Sequence, residues 1–150
     1  MASRIRTVLE MFDGTTDVPA GEIVSEIENI GMHEELLERR GTFTHHYPIA
    51  FRRVLPDDAL ISMSSGAEGP YYAISFITYV EPRDRFLVLA SFLARSMTRL
   101  FQARLHWGKY FPLSNSDIES VYPRLPEFRA LCRQVDPNGV FRNDFTDRVI

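Results

Sequence analysis

The sequence predicts an α+β fold in which a small antiparallel β-sheet is covered by helices. Three observations carry that expectation. Phe86, Leu89, Leu93, Met97 and Leu100 recur at helical spacing. Strand-forming residues alternate from Tyr71 to Val80. A chain of 150 residues with 45% hydrophobic and 25% charged side chains is also long enough to bury a core without disulfide staples.

Ile5 to Met11 reads as a short helical piece, followed by the turn-rich run Asp13-Gly14-Thr15-Thr16-Asp17-Val18-Pro19. Residues 1–20 are therefore expected to be a loosely attached leader, and residues 21–150 a single α+β domain. Ile23, Ile27 and Ile30 repeat at helical spacing, and Met32 to Arg40 predicts a second helix stopped at Gly41. Thr42 to Leu55 is rich in β-formers, with Pro48 marking an edge or bulge. The strand over Tyr71 to Val80 is apolar on both faces, which predicts a central position in its sheet.

Pro82 opens the strongest helix, whose Arg85, Arg95 and Arg99 are expected to face water while its apolar stripe packs in the core. An extended piece follows from Ala103 to Trp107. Ser116 with Glu119 three residues later has the capping-box pattern. Pro126 to Val135 predicts a helix with Phe128, Leu131 and Cys132 inward, ended by Asp136-Pro137-Asn138-Gly139, and residues 141–150 form a last short helix.

Composition narrows the function classes. Seventeen basic against twenty acidic residues give a net charge of −3, which argues against a nucleic-acid partner. No segment approaches the roughly 18 uninterrupted apolar residues of a membrane span. The start, Met1-Ala2-Ser3-Arg4-Ile5-Arg6, lacks the apolar core of a secretory signal. One cysteine, Cys132, allows neither an internal disulfide nor a multi-cysteine metal site. The expected location is cytoplasmic.

Most local constellations have structural readings. His45 and His46 are adjacent, so in a strand they face opposite ways and do not share an ion; no metal site is expected. Asp57-Asp58 beside Pro56 is turn chemistry. Neither G-x-S-x-G, G-x-G-x-x-G nor a Walker A pattern occurs. His106-Trp107-Gly108-Lys109 stands apart. Lys109 is the only lysine among 17 basic residues, and Trp107 the only tryptophan. A compact ammonium stabilises one developing oxyanion in a tight space in a way a planar guanidinium does not.

Arg104-Leu105-His106-Trp107-Gly108-Lys109, Val121-Tyr122-Pro123-Arg124 with Phe128 and Arg129, and Val135-Asp136-Pro137-Asn138-Gly139-Val140-Phe141-Arg142-Asn143-Asp144 follow one another in order. This series resembles the C-terminal end of the aldonolactone oxidases: D-arabinono-lactone oxidase, L-gulonolactone oxidase and the alditol oxidases. Upstream, Pro48-Ile49-Ala50-Phe51-Arg52 with Asp57-Asp58 resembles, more weakly, the family's Pro-(Ile/Val)-Glu-x-Arg strand and Asp-Asp turn. Residues 1–40 carry no such likeness.

The resemblance implies a C-terminal cap and substrate domain of an FAD-linked oxidase of the vanillyl-alcohol-oxidase type, with the flavin held mainly by an N-terminal domain outside these residues. It implies that Lys109 and His106 act at the flavin and the reacting centre, and that Arg52 binds a small sugar-derived substrate. The family's acidic residue two positions before that arginine is Ala50 here, and an isolated arginine is no base at neutral pH. Two readings follow. One is the cap of an FAD-dependent oxidoreductase acting on the CH–OH group of a sugar lactone or alditol, inactive without its FAD-binding domain, which lies in the parent chain or in a separate one. The other is a catalytically silent fragment or binding module docking on a partner flavoprotein. Either leaves apolar surface around Trp107, Tyr110 and Phe111 uncovered, so self-association is expected.

Overall fold

The computed structural model describes residues 1–16, 22–66, 69–79 and 82–150. Its elements run α1 (Ala2–Asp13), α2 (Glu22–Asn29), α3 (His33–Glu38), β1 (Ala50–Val54), β2 (Tyr71–Ser75), α4 (Asp84–Phe101), α5 (Asn115–Val121), α6 (Leu125–Val135) and α7 (Asp144–Val149). β1 and β2 pair in one two-stranded antiparallel sheet, so the class is α+β with helix predominating. The chain divides into two compact units, residues 1–50 with 74–103, and residues 51–73 with 104–150.

The first unit is organised around α4. Leu89, Phe92 and Leu93 are buried together with Val8, Met11 and Phe12 of α1, Ile27 of α2, and Met32 and Leu36 at α3. The rings of Phe12 and Phe92 lie 5.7 Å apart at 58°, a tilted contact. Residues 2–13 are thus part of a core, not a loose leader. Their apolar positions Ile5, Val8, Met11 and Phe12 form one helical face, and each is at most 3% exposed. Gly14 closes α1 at φ 79°, where its backbone passes so close to Gly41 that a Cβ would lie 3.3 Å from the Gly41 Cα. The amides of Gly41 and Phe43 then donate to the carbonyls of Met11 and Phe12, at 3.1 and 2.9 Å, satisfying acceptors that a helix end leaves open. The Asp17-Val18-Pro19 part of the predicted leader lies outside the described residues.

Several boundaries differ from the sequence reading, each for a local reason. Residues 42–49 form no strand: Pro48 has no amide to donate, and pairing begins at Ala50. β2 ends at Ser75, and in a two-stranded sheet it is not central; Tyr72 is 60% exposed. Val80, its predicted end, lies outside the described residues. Arg95 does not simply face water, because it pairs with Glu35 at 2.6 Å. The cap of α5 is Ser114, with Asp117 closing the capping box, rather than Ser116 with Glu119. On α6, Leu131 is exposed and Leu125 is the fully buried residue. Among the described residues no helix is long and apolar enough to cross a membrane.

Phe92 is fully buried within the first unit's core. Phe92→Ala is expected to lower stability by about 3–5 kcal/mol, read as a fall in the urea midpoint followed by circular dichroism.

Candidate functional site

In the second unit the chain runs without helix or strand from Arg104 and then turns tightly at residues 106–109. The Lys109 amide donates to the His106 carbonyl at 3.0 Å, and the Gly108 amide donates to His106 Nδ1 at 3.1 Å. With Nδ1 engaged as an acceptor, the neutral imidazole carries its proton on Nε2. His106, Gly108 and Lys109 are exposed. The Lys109 ammonium has no hydrogen bond or ion pair among the described residues. The turn therefore presents an ammonium and an imidazole N–H, both donors, with a glycine between them that adds no bulk. Such a face suits an anionic or carbonyl-rich ligand edge.

Trp107 points the other way. Its ring stacks on Phe111 at 5.0 Å and 17°, tilts against Tyr122 at 5.3 Å and meets the edge of Phe145 at 6.2 Å. Its indole N–H donates to the Ile61 carbonyl at 3.1 Å. Phe111 is only 6% exposed, so the expectation of uncovered surface is corrected at Phe111, while Trp107, stacked on it, stays half-buried. Tyr110 remains 49% exposed. Burial pushes the Tyr122 phenol up to about 12, so it stays neutral and serves as an apolar plate.

Ile61 belongs to a loop organised by Asp57. Its carboxylate accepts from Ser62 Oγ at 2.5 Å, Ser64 Oγ at 2.8 Å and the Ala59 amide at 3.0 Å. These bonds, Ser62 first and then Ser64, hold the Asp57 carboxyl below its ordinary range. Arg104 fastens the same loop, donating to the carbonyls of Ser62 and Ser65 and to Ser65 Oγ at 3.2, 2.8 and 3.1 Å. Sequence reasoning gave neither residue a role beyond a turn and a motif position. A guanidinium whose acceptors are mostly backbone carbonyls leaves no side-chain pattern to read.

The other singled-out residues are not gathered here. Arg52 lies exposed on β1, and no hydrogen bond or ion pair joins it to a described residue. Ala50, two residues earlier, brings no carboxylate to it. His45 is half-buried against Phe76 and Phe86, and burial, then repulsion from His46, lowers its pKa. Cys132 is a half-buried free thiol. Among the described residues no three His, Cys, Asp or Glu side chains gather as metal ligands. Surface grooves of about 360 and 520 Å³ occur in the first unit, and His106, Lys109 and Arg52 line neither. The turn is an open face rather than a preformed pocket.

Comparison with known proteins follows the same residues. The family model described as D-arabinono-1,4-lactone oxidase matches residues 18–149. A long-chain alcohol oxidase from an uncultured marine euryarchaeote is 47% identical over 145 residues, which is 95% of this chain and 30% of that protein. An alditol oxidase of Streptomyces sp. is 37% identical over 94 residues, covering 63% and 22%. An L-gulono-1,4-lactone dehydrogenase of Mycobacterium tuberculosis is 29% identical over 114 residues, covering 76% and 26%. The chain thus spans less than a third of the length of these relatives. The family match begins at residue 18, so it reaches into residues 1–40, where the sequence by itself carried no likeness. No solved structure matches.

Two outcomes test this geometry. Asp57 has a folded pKa below its unfolded value of about 3.9. Its contribution is present above that value and lost as pH falls through the folded pKa. Asp57→Asn should therefore flatten the acid-side decline in stability at and below about pH 4, measured by urea melts across pH. Gly108 has an ordinary φ, and a Cβ there would meet His106 Cε1 at 3.4 Å, an ordinary contact. Gly108→Ala should change stability by less than about 1 kcal/mol, whereas Gly139→Ala, at φ 68° with Arg142 Cδ 3.1 Å away, should cost more.

Proposed function

The chain belongs to the D-arabinono-1,4-lactone oxidase family, and on that basis we propose that it forms the flavin-capping and substrate-side part of an FAD-dependent oxidoreductase acting on the CH–OH group of a sugar lactone or alditol. The observation that carries this reading is the exposed turn in which the Lys109 ammonium and the His106 Nε2–H face outward while Trp107 anchors them. The relatives are named as an alcohol oxidase, an alditol oxidase and a gulonolactone dehydrogenase, all oxidoreductases.

The residues fit such a role. FAD, when bound, supplies the two-electron acceptor, and in this reading it is held mainly by a flavin-binding domain outside these residues, in the parent chain or a separate one. With the group bound, the Lys109 ammonium would stabilise negative charge that develops during the reaction, and the Nε2–H of His106 would donate to the ligand and orient it. Arg52 binds the substrate oxygen. As the alcohol carbon becomes a carbonyl, the hydroxyl proton must pass to a base. Arg52 is no base and Ala50 has no proton-accepting group, so that proton leaves through a group other than these. A cytoplasmic setting suits the unpaired thiol of Cys132.

The competing reading, a silent module docking on a partner flavoprotein, draws on Ala50 and on the absence, among the described residues, of a carboxylate bonded to Arg52. The test is to co-express the chain with a flavin-binding domain of the same family and follow visible absorption through gel filtration. Flavin bands that co-elute with the pair, together with alcohol-dependent bleaching, support the oxidoreductase. In that pair Lys109→Ala should lower kcat by about 10²–10³-fold, with a smaller loss for His106→Ala. If flavin co-elutes but Lys109→Ala turns over normally, the role of Lys109 is wrong. If no flavin is retained in any pairing, the oxidoreductase reading fails and the chain is a silent fragment or binding module.

A further inference from the structure

We infer that Arg104 is the positioning residue of the His106–Lys109 turn, acting by clamping together the two surfaces on which Trp107 rests. The inference rests on the proposed role of the turn, but its physical core is measurable without any flavin.

The geometry is contained in the second unit. One surface under Trp107 is the loop of residues 57–66, which supplies the Ile61 carbonyl to the indole N–H. The other is the end of α5, where Tyr122 supplies a ring against the indole face. Arg104 binds both. Its NH1 donates to Ser62 O, Ser65 O and Ser65 Oγ on the loop. Its Nε donates at 2.8 Å to the carbonyl of Val121, the last residue of α5. That carbonyl is among those a helix C-terminus leaves open, and a cation is favourable there. The guanidinium also lies over the Tyr122 ring at 4.7 Å, with Tyr71 at 5.7 Å.

These contacts explain the choice of side chain. A fixed planar fork with five donors can serve carbonyls on two separate segments at once, while its face covers an aromatic ring. A lysine gathers its three donors on one nitrogen and has no planar face, so it cannot reach the separated carbonyls and cover the ring as the fork does. No carboxylate is hydrogen-bonded or ion-paired to Arg104 in these contacts, so the clamp works through neutral carbonyls. When it loosens, Ile61 and Tyr122 can part, the indole loses its seat, and the turn that displays His106 and Lys109 loses its fixed direction.

The single tryptophan makes this readable. The Trp107 indole N–H gives one resonance, and its hydrogen exchange reports the seat directly. In Arg104→Lys, with secondary structure retained by circular dichroism, indole protection is expected to fall at least about tenfold. The nitrogen shifts of His106 should also move away from the Nε2–H tautomer. Arg129→Lys is the control: Arg129 makes bonds to Glu119, Asn115 and Val149 but none to the loop or to Trp107, so it should leave both signals unchanged. If Arg104→Lys is too unstable, Tyr71→Leu and Ser65→Ala each weaken one arm of the clamp and should move the same two signals in the same direction.

In the flavin-loaded pair, Arg104→Lys should lower kcat while KM stays within about twofold. Unchanged indole protection and tautomer in Arg104→Lys overturn the clamp, whatever the activity. Loss of both, in a chain that no pairing makes redox-active, upholds the clamp and removes only the proposed oxidoreductase function.

Discussion

The bond from the Trp107 indole to the Ile61 carbonyl fixes more of the second unit than its 3.1 Å would suggest. An exposed tetrapeptide with a glycine in it has no reason of its own to hold one conformation. Burying one large ring among Phe111, Tyr122 and Phe145 gives it that reason. The ring is half-buried, so it gains part of the stabilisation a fully buried aromatic would, and the covered N–H must find an acceptor or be left unpaired. The acceptor lies on a loop that Asp57 has already ordered through three hydrogen bonds. Order passes from a carboxylate to a loop, from the loop to an indole, and from the indole to the two donors beside it.

Much of this was legible in the sequence where the cause is local. The helices α1 to α4 follow apolar spacing, and Gly14, Gly41 and Gly139 stop segments at positive φ, as glycine allows. The failures come from interactions that no local window contains. Residues 2–13 read as a leader because the turn-rich run after Asp13 isolates them, yet their apolar face completes a core with residues some eighty positions later. The strand predicted over residues 42–55 counted β-formers, but a strand needs a paired partner as well as suitable side chains. The capping box sits at Ser114 because Asp117 closes it there, while Ser116 instead bonds to the Ser114 hydroxyl at 3.0 Å.

The candidate site divides in the same way. His106 and Lys109 stood out by rarity and proximity, and the structure gives them one turn. The residues that hold the turn did not stand out. Arg104 is one arginine among sixteen, and its partners are three carbonyls and a hydroxyl. Tyr122 looks like any buried aromatic until Arg104 and Trp107 are found on it. Chemistry-bearing side chains are advertised by type, whereas supporting ones act through the backbone and become visible only in space.

The electrostatic character of the turn bears on what must complete it. The two side chains it displays outward, His106 through Nε2–H and Lys109, are donors, and among the described residues no carboxylate is bonded to Arg52. Donors can stabilise charge that arrives on a ligand, whereas removing a proton from one takes a base such as a carboxylate or a free imidazole nitrogen. Acid–base work and charge stabilisation are separable tasks, and the roles proposed for Lys109 and His106 belong to the second. The open setting of His106 and Lys109 points the same way. In water, an ammonium's interaction with an anion at 4 Å is worth about 1 kcal/mol, and exclusion of solvent raises it severalfold. For Lys109 to matter to a reaction, another surface must close over the turn, and the rigidity of Trp107's seat is what would let the two surfaces meet in register.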